Sequence, residues 1–500
     1  MADTATLERP SAQAGVEHFD VLIVGAGISG VGGAYHLTQE RPQTSFVVLE
    51  AMESFGGTWW THTYPGARSD SDLYTFGYRF KPWIGAPIAS RAEILKYMGE
   101  VIDENDLAKH IRYGHRITKA AFSSQTNLWS VEATELATGQ VKRFTCGFLW
   151  MCHGYFRQGE GYTPEWPGMS DYKGRIVHPA SWPKDVDYKG KKVLIIGSGA
   201  TAATLGPAIA AEASHTTILQ RTPTYFLPGI NQNELANQLR DLKVPEEWVH
   251  EIIRRQVVQQ SDAFTKRCFE DPETVKKELV GMAKMFLDAE TVDKHFTPPY
   301  LPWRQRVAFI PGGDLFVGIN QGKVGIVTDE IETFNASGVM TKGGVQIDAD
   351  LVITATGFNL CSSGDIEFTV DGETRTLADS VTWRGMMFTG FPNFLWVFGY
   401  FRASWTLRTE LVTDFLIRML KHMDEKGAKR VEVALRPEDH NMELGPWIDP
   451  ENFNPGYVTR SQHLLPKAGP KVEWRHSQDY LTERDALPAV DLDGAEFKYS

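Results

Sequence analysis

Two glycine-rich turns, each set between a short apolar strand and a helical run, constrain this chain more than anything else in it. Residues 21–30 read VLIVGAGISG and residues 193–202 read VLIIGSGATA. In the first unit Gly25, Gly27 and Gly30 form G-x-G-x-x-G; in the second Gly197, Gly199 and Ala202 form the G-x-G-x-x-A variant. The first glycine permits a tight turn, the second lets the backbone approach a pyrophosphate, and the third position lets helix pack on strand while the helix N-terminus faces the anion. The expected fold is therefore α/β, with two Rossmann-like dinucleotide-binding domains.

The end of the next strand distinguishes the two units. The strand SFVVLE ends on Glu50, placed to accept hydrogen bonds from ribose hydroxyls, whereas HTTILQRT ends on Gln220, Arg221 and Thr222. An acid repels a 2'-phosphate and an arginine pairs with one. FAD is thus expected on the first unit and NADPH on the second; the alternative is that Arg221 is a surface residue and NADH is accepted as well.

The chain crosses between the two units. RFTCGFLWMCHG and DADLVITATGF read as apolar strands that end beside a flavin-bound edge, at Gly154 and Gly357. This gives a discontinuous FAD domain over 18–150 and 355–500, with a linker and NADPH domain over 151–225 and 302–354. Residues 226–301 change to helical periodicity: Asp271 and Pro272 read as N-cap and first helical residue, with Val275, Leu279, Met282 and Phe286 behind them. This helical insert either walls off a substrate channel or fills out the NADPH domain. A closing helix over 408–426 carries Leu411, Val412, Phe415, Leu416, Met419 and Leu420 on one face and stops at Gly427.

Other partners are disfavoured. The net charge of −12 and the lack of a Lys/Arg run argue against nucleic acid. The four cysteines, Cys146, Cys152, Cys268 and Cys361, are too scattered for a disulfide framework or a metal site, and no metal is expected; a reducing cytoplasm is the simplest setting. No window approaches a membrane span, and the opening MADTATLERPSAQAGV reads as a frayed tail rather than a signal peptide. A disulfide reductase would need a redox cysteine pair behind the first turn, where this chain reads GGTWWTHTYPGARSD without any. A flavoprotein-like fold without turnover would have no reason to keep a complete second unit.

Two further segments carry a resemblance. Residues 172–183, YKGRIVHPASWP, resemble the Baeyer-Villiger monooxygenase fingerprint F-x-G-x-x-x-H-x-x-x-W-P, with Tyr172 in place of Phe and with Gly174, His178, Trp182 and Pro183 in register. Gly56, Gly57, Thr58 and Trp59, followed by Tyr64-Pro65-Gly66 and Asp70, resemble that family's second motif. LPWRQR, ITATGFNL and ASWTL look most like the ethionamide-activating subgroup.

The resemblance implies an enzyme that uses FAD, NADPH and O2 to insert oxygen next to a ketone carbonyl through a C4a-peroxyflavin, giving an ester or lactone, with thioether oxidation beside it. The alternative is a flavin monooxygenase specialised for sulfur or nitrogen. It further implies that Gly57, Thr58 and Trp59 bind cofactor, that Arg306 is the catalytic cation with Asp70 as its partner, and that Arg304 is a rival two residues away. Trp405 would lie over the nicotinamide ribose and the substrate pocket, or else be core. The fingerprint would couple NADP movement to the flavin site, with His178 as a hinge rather than a base. Many relatives carry Lys before the catalytic Arg, where this chain has Gln305, which leaves Arg221 and Thr222 as the main support for NADPH.

Overall fold

A computed structural model describes residues 15–500; most of the opening tail lies outside them. Two sheets organise the chain. In the larger, Val16–Val24 lies parallel between Phe46–Leu49 and Gln140–Met151, and Phe394–Trp396 is added beside Gln140–Met151. The four residues Val21 to Val24 and all of Phe46–Leu49 are buried because both faces are covered, Val21 and Ile23 clustering with Ile28, Val31 and Leu37, and Leu22 and Val24 with Phe391, Phe398 and Phe401; beyond Gln140–Met151 the sheet continues antiparallel. Leu128–Glu135 and His115–Ser123 provide that antiparallel continuation.

The second sheet is wholly parallel. Its order is Val324–Thr328, His215–Gln220, Lys192–Ile196, Leu351–Thr354 and Arg175–Val177. Leu351–Thr354 therefore belongs to this sheet, and the chain leaves for the first domain only beyond it, through Gly357. Apolar runs such as LVIT fit either sheet by pattern; pairing partners decide, and here the partner is Lys192–Ile196.

Between the sheets the chain crosses twice, and the crossings pair: Phe358–Leu360 runs antiparallel to Phe156–Gly161. The segment expected to be helical from residue 226 begins as strand, Tyr225–Gly229, paired with Val307–Pro311. Helices then occupy Glu234–Asp241, Glu246–Glu270, Pro272–Lys284 and Ala289–His295, and Asp271 caps the third of these by accepting from the Thr274 N–H.

The insert is bolted to the first domain by charge. Arg254 Nη2 lies 2.6 Å from Glu410 Oε2, with both side chains under a tenth exposed, and Arg254 Nη1 donates to the carbonyls of Tyr74, Thr75 and Gly77. A buried pair so fully hydrogen-bonded is costly to break from one side, on the order of 3–5 kcal/mol. Among the described residues no helix is long and apolar enough to cross a membrane.

Candidate active site

The first glycine turn is built as a backbone cradle. Gly25 has φ +97°, and a Cβ on Gly30 would stand 1.9 Å from the Gly25 carbonyl oxygen. Gly27 precedes the helix Ile28–Glu40, and a Cβ on it would lie 3.7 Å from the Cα of Gly57, so two glycines face each other across the turn. The mouth opens on a cavity of about 750 Å³ lined by Gly25, Gly27, Glu50, Gly57, Thr58 and Trp59, among others. Bare backbone, a helix N-terminus and a cavity of that size fit a dinucleotide pyrophosphate.

Glu50 does more than line this cavity. Its Oε2 accepts from the Ala26 N–H at 2.7 Å and its Oε1 from the Met52 N–H at 2.8 Å, so the carboxylate ties the turn to the strand end. Burial raises its pKa, and those backbone donors oppose the rise.

The second turn is more open. A Cβ on Gly197, at φ +136°, would meet the Ala355 carbonyl at 2.2 Å, but one on Gly199 would meet nothing within 4 Å. Gly199 precedes the helix Ala200–Ala210, and Ala202 is core. Gln220 is buried and donates to the His295 carbonyl and the Thr328 hydroxyl, while Arg221 is exposed beyond it and Thr222 half-buried. The loop of the second motif packs on this helix: Gly66 has φ +75°, and its Cβ position is 2.8 Å from the Ala208 Cβ.

Where the domains meet stands an ion pair, Arg306 Nη1 to Asp70 Oδ2 at 3.2 Å. The Arg306 side chain is 40% accessible yet surrounded by protein, as a group facing a cleft would be. Asp70 pushes the Arg306 pKa further up, so the cation is permanent. Arg304 points elsewhere, its guanidinium 4.9 Å from the Phe269 ring centroid. The loop holding both is unusual: Trp303 has φ +59°, rare for a bulky side chain, and its carbonyl accepts from Arg402.

Two phenols adjoin the pair. Tyr155 and Tyr457 lie within electrostatic reach of Arg306 and Asp70, and burial raises both pKa values. Trp405 stacks on Tyr155 at 5.2 Å and 10°, lines the large cavity, and donates from Nε1 to the Ser29 hydroxyl at 2.9 Å, directly beside the first turn. Tyr155 comes directly after the strand-end Gly154, a position that sequence reasoning could have flagged; Tyr457 sits in GYVT, with no such signal.

The fingerprint forms the joint. Arg175–Val177 is an edge strand of the second sheet. His178 Nδ1 accepts from the Ala180 N–H at 3.0 Å and Nε2 donates to the Gly357 carbonyl at 3.1 Å. Burial lowers its pKa, so the ring is neutral with the proton on Nε2. A Cβ on Gly161 would overlap the imidazole at 1.8 Å, so the ring sits between the two crossings. Gly174 is needed because its Cβ would strike the Tyr172 hydroxyl at 2.3 Å; that hydroxyl donates to the Ala349 carbonyl. Trp182 packs on the second domain's core and Pro183 turns the chain onward. Gly357 holds the joint and does not line the large cavity.

Two nucleotide turns on two sheets, joined by paired crossings with an ion pair at the seam, define a two-dinucleotide flavoprotein, and comparison with known proteins specifies which. The chain belongs to the FAD-containing monooxygenase family. Residues 23–82 match the NAD(P)-binding Rossmann-like domain and residues 87–260 the flavin-binding monooxygenase-like family. It is 42% identical over 487 residues to the FAD-containing monooxygenase EthA of Mycobacterium tuberculosis, covering 97% of this chain and 98% of that one. It is 38% identical over 479 residues to the probable FAD-binding monooxygenase AlmA of Acinetobacter baylyi, covering 95% of each. Its fold matches that of a steroid monooxygenase bound to NADP with a TM-score of 0.76 at 24% identity, over 96% of this chain and 99% of that one.

Proposed function

We propose that this chain is an NADPH-dependent Baeyer-Villiger monooxygenase: ketone, O2, NADPH and a proton give ester or lactone, water and NADP+. The observation that carries the reading is the Arg306–Asp70 pair at the domain seam, within electrostatic reach of Tyr155, which stacks on Trp405 and lines the cavity of the first turn. FAD, when bound, supplies the reduced ring that activates O2. In this reading Gly25, Gly27, Gly30, Gly57, Thr58 and Trp59 hold the flavin dinucleotide, while Gly197, Gly199, Arg221 and Thr222 hold NADPH.

The chain's own contribution is electrostatic. A fixed guanidinium stabilises the negative charge that builds on the ketone oxygen under attack, and Asp70 keeps it oriented before reaction, so little reorganisation is needed. Trp405 and Tyr155 together form a flat apolar wall that keeps water from the reacting carbonyl. His178 holds the crossings in register, so that a change at the second turn is transmitted to the first.

Sulfur oxidation is a second reading, favoured by Tyr155 and Tyr457. A thioether is a nucleophile and needs a protonated oxygen donor; two phenols with raised pKa values stay protonated across neutral pH and can donate hydrogen bonds that keep such a donor protonated.

Arg306→Ala tests the assignment. Ester formation is expected to fall by about 10²–10³, while reduction of the flavin by NADPH, followed anaerobically, persists. Loss of flavin reduction with oxygenation retained would contradict the role.

A further inference from the structure

A second cavity, of about 340 Å³, lies between the long helix Glu246–Glu270 of the insert and the segments around residues 402–407 and 478–481. It is continuous in sequence with the reaction site: Thr75 and Ser404 line it, while Phe76 and Trp405 line the larger cavity. Its size is at the small end of ligand pockets.

Arg402 lines it and is itself 8% exposed. Nε donates to the Trp303 carbonyl, and Nη2 donates to that carbonyl and to the Asn452 carbonyl and side-chain oxygens, at 2.7–3.4 Å. Nη1 makes no hydrogen bond, and no carboxylate pairs with Arg402 among the described residues. Phe269 and Phe453 flank the guanidinium, with ring centroids at 4.7 and 5.5 Å. Burial and the nearby Arg304 cation push its pKa down to about 10, which still leaves it charged at neutral pH. An unpaired charge in such a place is expensive unless something neutralises it.

The acids of the cavity do not do so. Asp262 pairs with Lys266 at 2.9 Å, Asp479 accepts from the N–H and hydroxyl of Thr482, and Glu270 lies at the exposed rim. We propose that Arg402 binds the carboxylate of the substrate, so that the ketones this enzyme takes are keto acids, with the carbonyl toward Arg306 and the acid group in the second cavity. The inference rests on the proposed ketone oxygenation and names its substrate class. The planar guanidinium presents its free edge to a carboxylate, and the aromatic walls hold that edge in place.

The test compares 8-oxononanoate with its methyl ester as substrates of the FAD-loaded enzyme, for wild type, Arg402→Gln and Arg402→Lys. Wild type is expected to favour the acid, and Arg402→Gln to lower kcat/KM for the acid by about tenfold to a hundredfold more than for the ester, mainly through KM. Arg402→Lys is expected to restore part of the loss, which a purely structural role in holding Trp303 would not predict. Equal losses on acid and ester, or no preference in wild type, would overturn the proposal. A separate titration with octanoate and octanamide needs no turnover. If neither ketone is oxygenated, the functional reading fails on its own, and tighter binding of octanoate by wild type but not by Arg402→Gln still sustains the subsite; equal binding of the two ligands overturns it.

Discussion

The two glycine turns share a sequence grammar and differ in how they are closed. At the first, a buried Glu50 ties the turn down through two backbone amides, and Gly27 faces Gly57 across a deep cavity. At the second, the strand ends on an exposed Arg221, and the side of Gly199 is open. Closure of this kind suits a dinucleotide that stays, and openness one that arrives, reacts and leaves. The same motif can therefore serve a resident and a visiting cofactor, with the difference set by neighbours rather than by the glycines.

The largest expected effect belongs to the closed turn. Gly30→Ala places a methyl 1.9 Å from backbone with no way to yield, so purified protein is expected to carry no flavin, as flavin absorbance per protein would report. Flavin retained at the wild-type ratio would break the distinction between the turns.

Acid is expected to act next, and on the same side. His62 and His153 line the first cavity, and burial lowers both from 6.5 to about 4. His250, whose Nδ1 accepts from the Trp83 N–H, is likewise lowered to about 4 by burial. A lowered histidine pKa means that the unfolded chain binds more protons below 6.5, so stability is full above that pH and declines as pH falls toward 4. Each contributes on the order of 1–2 kcal/mol of loss by pH 5. Asp72 and Glu50 work the other way, since burial raises both, Asp72 to about 6, and folding is favoured while they are protonated; His178 and His476, also lowered by burial, add to the histidine side, so the trend is not reversed. Thermal melts from pH 7 to 5 should show a falling midpoint, and a flat profile would count against the burial of these rings.

Smaller effects belong to the open turn. Arg221→Ala is expected to raise KM for NADPH by about tenfold, close to 1.4 kcal/mol, and to leave NADH within about threefold; an equal change for both would remove the 2'-phosphate role. Gly199→Ala, whose Cβ position is free of protein atoms, should keep fold and flavin but raise KM for NADPH by about tenfold, because its methyl would stand where the pyrophosphate approaches the backbone; an unchanged KM would remove that role.

Much of this was legible in the sequence because its signals are local. Glycine spacing, strand-end residues and the Asp271-Pro272 cap each act within a few residues of chain, and the closing helix ends at Gly427 with φ +65°. Less legible were features that depend on distant pairing. Residues 225–229 found a partner about 80 positions on at Val307–Pro311, and Tyr457 and Arg402 reached the seam from segments without a motif. Arg306 was favoured over Arg304 only by the family resemblance; in the structure the direction of each side chain separates them, Arg304 lying against Phe269 and Arg306 against Asp70.

Oxygen insertion beside a carbonyl, driven by NADPH, is the reaction that the seam and both turns are proposed to serve. The most direct measurement is mass spectrometry of products after the FAD-loaded protein receives NADPH, isotopically labelled O2 and a mixture of ketones with a thioether. Esters or lactones carrying one labelled oxygen are the expected result. Labelled sulfoxide with no labelled ester would contradict that reaction and leave the sulfur reading in its place.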